Sequence, residues 1–145
     1  MTADTLRFGF VCVQNAGRSQ MATAFAERER ERRGLGERVE IVTGGTDPAE
    51  AVHPEVVEAM REVDVDLSDR TPRAVSDDEL ADCAVVATMG CSTLELSTDV
   101  EQRDWALDDP HGQSIETVRR IRDDVRRRVT ALFDEFTDES SAADD

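Results

Sequence analysis

The sequence predicts an α/β fold: a single domain built on an open, four-stranded parallel sheet flanked by helices. Three observations predict it. Short apolar runs rich in Val, Ile and Phe alternate along the chain with longer segments of helical periodicity. The 145 residues are enough for one domain with its own core. No internal repeat, interdomain linker or membrane-length apolar run interrupts the alternation. The domain is expected over residues 1–136, with an acidic, disordered tail over 137–145.

The first strand is "LRFGFVCV", a buried apolar run that reaches Cys12. A helix follows over residues 18–33, with Met21, Ala22, Phe25 and Ala26 on one face, charges on the other and Gly34 just past its end. "RVEIVTGG" is the second strand, stopped by Gly44 and Gly45. "HPEVVEAMREVDV" reads as a helix with Pro54 in its first turn and Val56, Val57, Met60 and Val63 on its apolar side. Ser76 and Glu79 have capping-box spacing and open a short helix through Leu80. "AVVATM" is the third strand and "RDWAL" a shorter fourth. From Ser114 on, Ile115, Val118, Ile121, Val125, Val129, Leu132, Phe133 and Phe136 recur every three or four residues, the pattern of a long amphipathic helix.

Charge narrows the range of partners. The chain carries 33 acidic and 17 basic residues, a net charge of −16, and every basic residue is Arg. So acidic a surface repels nucleic acid and anionic membranes, and neither is an expected partner. Abundant Asp and Glu without any Lys looks like adaptation to a salt-rich cytoplasm, as in halophilic archaea, where a Debye length of about 3 Å at 1 M screens the self-repulsion. "MTADTLRFGFVCV" has one late Arg and no small-residue cleavage site, so no signal peptide is expected and the protein is expected in the cytoplasm. Cys12, Cys83 and Cys91 are too few and too odd in number for a disulfide scaffold, and no C-x-x-C or cysteine–histidine cluster points to a metal. Cys83, at the start of the third strand, reads as a core thiol.

Ligands of such sheets bind beyond the carboxyl ends of the strands, where the strand order reverses. That rule points to "CVQNAGRS", between the first strand and the first helix. Five residues separate Cys12 from Arg18, and Ser19 follows. A tight strand-to-helix loop through Val13, Gln14, Asn15, Ala16 and Gly17 aims successive backbone N–H groups at one point, and the helix N-terminus adds its positive field. Arg18 supplies a fork for two oxygens of a tetrahedral oxyanion. The same field stabilises a thiolate, which makes Cys12 a nucleophile at neutral pH, with Ser19 as a hydroxyl donor to it. Asn15 suits left-handed backbone, and Gly17 permits close approach to the anion. The competing reading of Cys12 is a small buried residue at a strand end. The loop's position between a strand and a helix favours the nucleophile. A Walker loop is excluded, because the chain has no Lys to serve it.

"VCVQNAGRSQMA" resembles the phosphate loop of the low-molecular-weight protein tyrosine phosphatase superfamily, closest to the branch of thioredoxin- and mycothiol-coupled arsenate reductases. Gln20, Met21 and Ala22 are similar to the reductases, whereas the phosphatases more often have Pro after the Ser. "IVTGGTDP", "VHPEVVEAMREVDVDLSDRTPR" and "DWALDDP" are similar to three further family segments, and the resemblance covers roughly residues 6–136. It implies that Asp109, directly before Pro110, is the general acid that protonates the departing oxygen.

Two activities fit. In both, Cys12 attacks phosphate ester or arsenate, Arg18 and the loop amides hold the oxygens, and Asp109 protonates the leaving group. A tyrosine phosphatase hydrolyses the phosphocysteine with water. An arsenate reductase uses a second thiol, which releases arsenite and leaves a disulfide or mixed disulfide. Cys91, in "ATMGCSTLEL", resembles the start of the reductases' redox segment, but Thr93, Leu94 and Glu95 stand where the thioredoxin-coupled class has a further cysteine. The resolving thiol is therefore Cys91 or an external donor, thioredoxin or a low-molecular-weight thiol. No tightly bound cofactor is expected, and the protein is expected as a monomer or weak dimer. The chain has no Tyr, and His111, Gly112 and Gln113 follow Pro110 where the phosphatases carry aromatic residues, which favours a small inorganic oxyanion. Trp105 reads as core before cleft wall, and His53 and His111 receive no role. A non-enzymatic oxyanion sensor is a third reading, against which intact Cys12, Arg18 and Asp109 argue.

Overall fold

The computed structural model describes residues 5–45, 47–89, 100–105, 107–108, 110 and 112–137. The elements run β1 (Leu6–Cys12), α1 (Arg18–Arg32), β2 (Val39–Gly45), α2 (Pro54–Arg61), α3 (Asp77–Ala81), β3 (Val85–Met89), β4 (Glu101–Asp104) and α4 (Ile115–Thr137). Among the described residues the sheet has four strands in the order β2-β1-β3-β4, every pair parallel. The chain moves from β1 to one side and returns to the other, so the strand order reverses between β1 and β3. Cys12 lies there, in register with Gly45 at the end of β2 and Met89 at the end of β3.

The two-residue period of the strands divides the core. Phe8, Phe10 and Cys12 of β1, with Val85, Ala87 and Met89 of β3, face a large cluster that takes in α1, α2 and α4. Val11 and Val86 face the other side, where Leu80 and Cys83 close a smaller one. Phe8 meets Phe133 edge-on at 5.2 Å between ring centroids, seating α4 on the sheet. α3 starts on the capping box that its sequence predicts, with Ser76 Oγ accepting from the Glu79 amide and Glu79 accepting from the Ser76 amide. No helix among the described residues is long and apolar enough to cross a membrane.

Three elements differ from expectation. The fourth strand is Glu101–Asp104, two residues ahead of "RDWAL". As an edge strand its residues are mostly exposed, while the apolar signal comes from Trp105 and Leu107, which are buried in the segment that follows. α2 stops at Arg61 because the chain turns at Asp64, whose φ is 67°, and Val63 and Val65 both donate to the Met60 carbonyl. α1 is buried on every side from Ser19 to Ala26 and wholly charged from Glu27 to Arg32, so buried and charged residues divide along the helix rather than between two faces. The expected tail beyond Thr137 lies outside the described residues.

Candidate active site

The loop from Val13 to Gly17 leaves β1 at Cys12 and enters α1 at Arg18. Gly17 is the N-cap residue of α1 and no side chain caps the helix, so its first amides stay available at the strand's end. The loop's carbonyls are all turned outward. Val13 O accepts from the Asp47 amide at 2.7 Å, Gln14 O from Ala49 at 3.0 Å, and Ala16 O from His53 at 2.9 Å. Asn15 O accepts from Gln20 Nε2 at 3.0 Å, and Gly17 O from the Met21 amide at 3.0 Å. With the carbonyls held outside, the N–H groups face inward. Such a ring of donors at a helix N-terminus suits a tetrahedral oxyanion.

Gly45 lets β2 back the loop closely. A Cβ there would collide with the Val13 carbonyl and stand 3.0 Å from the Asn15 amide. Two polar groups converge on the sulfur of Cys12, which is 3% exposed. The Asn15 amide donates to Sγ at 3.2 Å, and Ser19 Oγ lies 2.9 Å from it. Asn15 adopts φ 53°, the left-handed conformation its side chain tolerates. Its amide is fully buried and fixed from four sides. Nδ2 donates to Ser19 Oγ at 2.7 Å and to Thr43 Oγ1 at 3.0 Å, while Oδ1 accepts from the Arg73 amide at 3.0 Å and from Gln20 Nε2 at 3.2 Å. Ser19 Oγ accepts from Asn15 Nδ2, which leaves its own proton available to Cys12 Sγ.

Arg18 reaches across to the segment after β4, where Nη1 donates to the Leu107 carbonyl at 2.8 Å. Pro110 packs on the loop itself, since a Cβ on Gly17 would stand 3.0 Å from Pro110 Cγ. Gly17 thus makes room for Pro110, beyond the close approach to an anion expected of it. The Gly112 amide donates to Glu55 Oε2 at 2.6 Å, which ties the same segment to α2. The structure therefore brings together Cys12, Asn15, Arg18 and Ser19, with Leu107 and Pro110 beside them. Asp109, Cys91 and His111 lie outside the described residues.

Cys83 is on the far face of the sheet, where burial pushes its thiol up to about 11. Trp105 is core, 5.9 Å from Phe10 between ring centroids. His53 precedes α2 and lines the loop through its amide. The sequence assigned no supporting role at the site to Gln20, Thr43, Arg73 or the 47–53 segment. Gln20 carried a usable signal: a polar side chain within an apolar helical run, here 2% exposed, needs a partner. The backbone donors of residues 47–53 carry none. Among the described residues, no group of three or more His, Cys, Asp or Glu is placed to hold a metal ion.

The model of the low molecular weight phosphotyrosine protein phosphatase family matches residues 7–142. A protein of Halobacterium salinarum named "Putative arsenate reductase" is 70% identical over 138 residues, covering 94% of this chain and 97% of its own. The solved structure described as "An arsenate reductase in the phosphate binding state" is similar with a TM-score of 0.74 and 28% identity, over 92% of this chain and 100% of that one. A thioredoxin-dependent arsenate reductase of Corynebacterium glutamicum matches with a TM-score of 0.71 and 29% identity, over 93% of this chain and 63% of that one.

Proposed function

We propose an arsenate reductase, starting from the fact that the chain belongs to the low-molecular-weight phosphotyrosine protein phosphatase family. The observation that carries the chemistry is the loop. Its carbonyls are bonded outward, and Cys12 Sγ is hydrogen-bonded to the Asn15 amide of the loop and to Ser19 Oγ at the start of α1. A cysteine sulfur held at the centre of an anion-binding loop is placed to attack the anion that the loop holds.

In this reading the loop amides and the guanidinium of Arg18 hold arsenate. Cys12 attacks arsenic and forms an S–As bond. The departing oxygen leaves as water, with its proton supplied by Asp109, which sits between Asp108 and Pro110 in the segment that Arg18 holds. A second thiol then attacks the sulfur of Cys12. The S–S bond forms, the S–As bonding pair stays on arsenic, and arsenite departs. One arsenate and two thiols give arsenite, water and one disulfide. Cys91 is the candidate for the second thiol, two residues after Met89, the register partner of Cys12. An external thiol, thioredoxin or a small one, closes the cycle, which the reducing cytoplasm supplies. No bound metal or cofactor enters the scheme.

Arsenate is preferred over an aryl ester for two reasons. Trp105 is buried against Phe10, so it builds no wall for a phenyl ring. The 70% identical relative carries an arsenate reductase name. The test is arsenite release from arsenate with thiol in high salt, beside hydrolysis of an aryl phosphate. Arsenite production with little hydrolysis supports the reductase. Brisk hydrolysis without arsenite from any thiol donor makes the protein a phosphatase.

A further inference from the structure

Asn15 can present its amide in two orientations, and only one of them activates Cys12. In the structure Nδ2 donates to Ser19 Oγ, so Ser19 does not spend its proton on Asn15 and can give it to Cys12 Sγ. Reversed, Oδ1 would face Ser19 and take that proton for itself. Of the four groups that touch the amide, Ser19 carries a hydroxyl that can donate or accept, whereas Thr43 gives its proton to the Phe10 carbonyl and Gln20 Nε2 also donates to the Asn15 main-chain carbonyl at 3.0 Å, so both favour the same orientation. The Arg73 N–H can only donate, and it meets Oδ1 at 3.0 Å. A reversed Asn15 would set one donor against another there.

The Arg73 side chain anchors the stretch that carries that N–H. Residues 71–76 end the connection from α2 to α3 and meet the sheet at an isolated bridge between Gly45 and Ala74. Nη1 of Arg73 donates to the Thr43 carbonyl at 2.7 Å, and Nη2 to Glu79 Oε2 at 2.8 Å, the carboxylate of the α3 capping box. The Arg73 carbonyl accepts from the Gly45 amide at 2.9 Å. Thr43 in turn accepts from Asn15 Nδ2. Arg73 therefore grips both ends of the amide, Oδ1 through its own N–H and Nδ2 through Thr43.

We propose that Arg73 is a positioning residue for the reaction, setting the direction of the Ser19 hydroxyl through Asn15 and thereby the reactivity of Cys12. The proposal rests on Cys12 being the nucleophile. Its guanidinium lies at the surface, with nearly half of the side chain exposed, so an outer arginine acts on a buried sulfur through a peptide N–H and an amide.

The test is a double-mutant cycle read by alkylation. Wild type, Arg73→Ala, Asn15→Ala and the double variant are treated with iodoacetamide at neutral pH, and modification of the Cys12 peptide is followed by mass spectrometry. Arg73→Ala slows alkylation about tenfold, the worth of one charge-assisted hydrogen bond to sulfur, and lowers kcat more than it changes KM for arsenate. In the Asn15→Ala background the same change has less than about a twofold effect. Arg73→Lys, whose single ammonium serves one anchor at a time, falls between and remains informative if Arg73→Ala does not fold. Alkylation at the wild-type rate in Arg73→Ala, or in Arg73→Lys where only that variant folds, overturns the proposal. So does a slowing of equal size in both backgrounds, which would mark a merely structural loss. Arsenite release by Cys12→Ser would instead sink the nucleophile reading, and the alkylation cycle reports on Arg73 independently of it.

Discussion

The guanidinium of Arg18 donates to the carbonyl of Leu107 at 2.8 Å, joining the start of α1 to a segment 89 positions away. One side chain, rooted where the loop meets α1, thus holds Leu107, and under the proposed function it also holds the anion. The two duties require a planar fork with several donors, which a lysine ammonium lacks. Arg18→Lys is expected to lower kcat/KM for arsenate by about a hundredfold, the loss of a two-point charge-assisted contact. Steady-state kinetics of the variant checks this. A drop of less than about threefold would show that Arg18 serves neither duty.

Gly45 is the tightest approach to the loop. A methyl group there meets backbone, the Val13 carbonyl and the Asn15 amide, and no flexible side chain stands by to yield. Gly45→Ala is expected to cost about 1–3 kcal/mol in urea unfolding and to weaken phosphate inhibition of Cys12 alkylation. An unchanged alkylation rate and unchanged phosphate protection would show that the loop shape does not depend on this contact.

Cys83 and Cys12 should separate chemically. Burial raises the Cys83 thiol from 9.0 to about 11, so in the folded protein it stays protonated where an exposed thiol would begin to ionise. Iodoacetamide at about pH 8 is expected to modify Cys12 and spare Cys83 until the chain is unfolded, as peptide mapping will report. The sign of the linked stability follows. The unfolded thiol loses its proton first, so the contribution of this group is complete below about pH 9 and is lost as the pH rises towards about 11. Cys83→Ala should flatten the alkaline fall of Tm, and an identical fall in the variant would contradict this.

The charge of −16 makes stability depend on salt. At low ionic strength the acidic surface repels itself, and screening removes the repulsion. Between about 0.1 M and about 2 M KCl, Tm is expected to rise by on the order of 10 °C. A flat or falling Tm over that range would show that the net charge does not limit this fold.

Much of the architecture was legible because the signals that specify it are local. The Ser76–Glu79 capping box, the apolar period of α4 and the C-x5-R-S spacing between a strand and a helix each declare themselves within a few residues. β4 was misplaced because an edge strand buries little, so its pattern of Glu101, Gln102 and Asp104 looks like a loop while buried Trp105 and Leu107 look like a strand. The supports of the site were illegible for another reason. Asp47, Ala49, His53 and Arg73 brace the loop through peptide N–H groups, which every residue except proline possesses. Thr43 and the Leu107 carbonyl become partners only when the sheet and the crossing segments bring them to Asn15 and Arg18. The role of Gly17 was only half legible, because nothing near it in sequence announces Pro110.

The most direct test of the account is a single-turnover experiment with arsenate and the fully reduced protein in high salt. Wild type is expected to release arsenite and to lose two thiols per arsenite formed, one of them Cys12. Cys12→Ser is expected to release none, and Cys91→Ser none until an external thiol is added. Arsenite from Cys12→Ser, or aryl phosphate hydrolysis by wild type without any arsenite, would contradict the account.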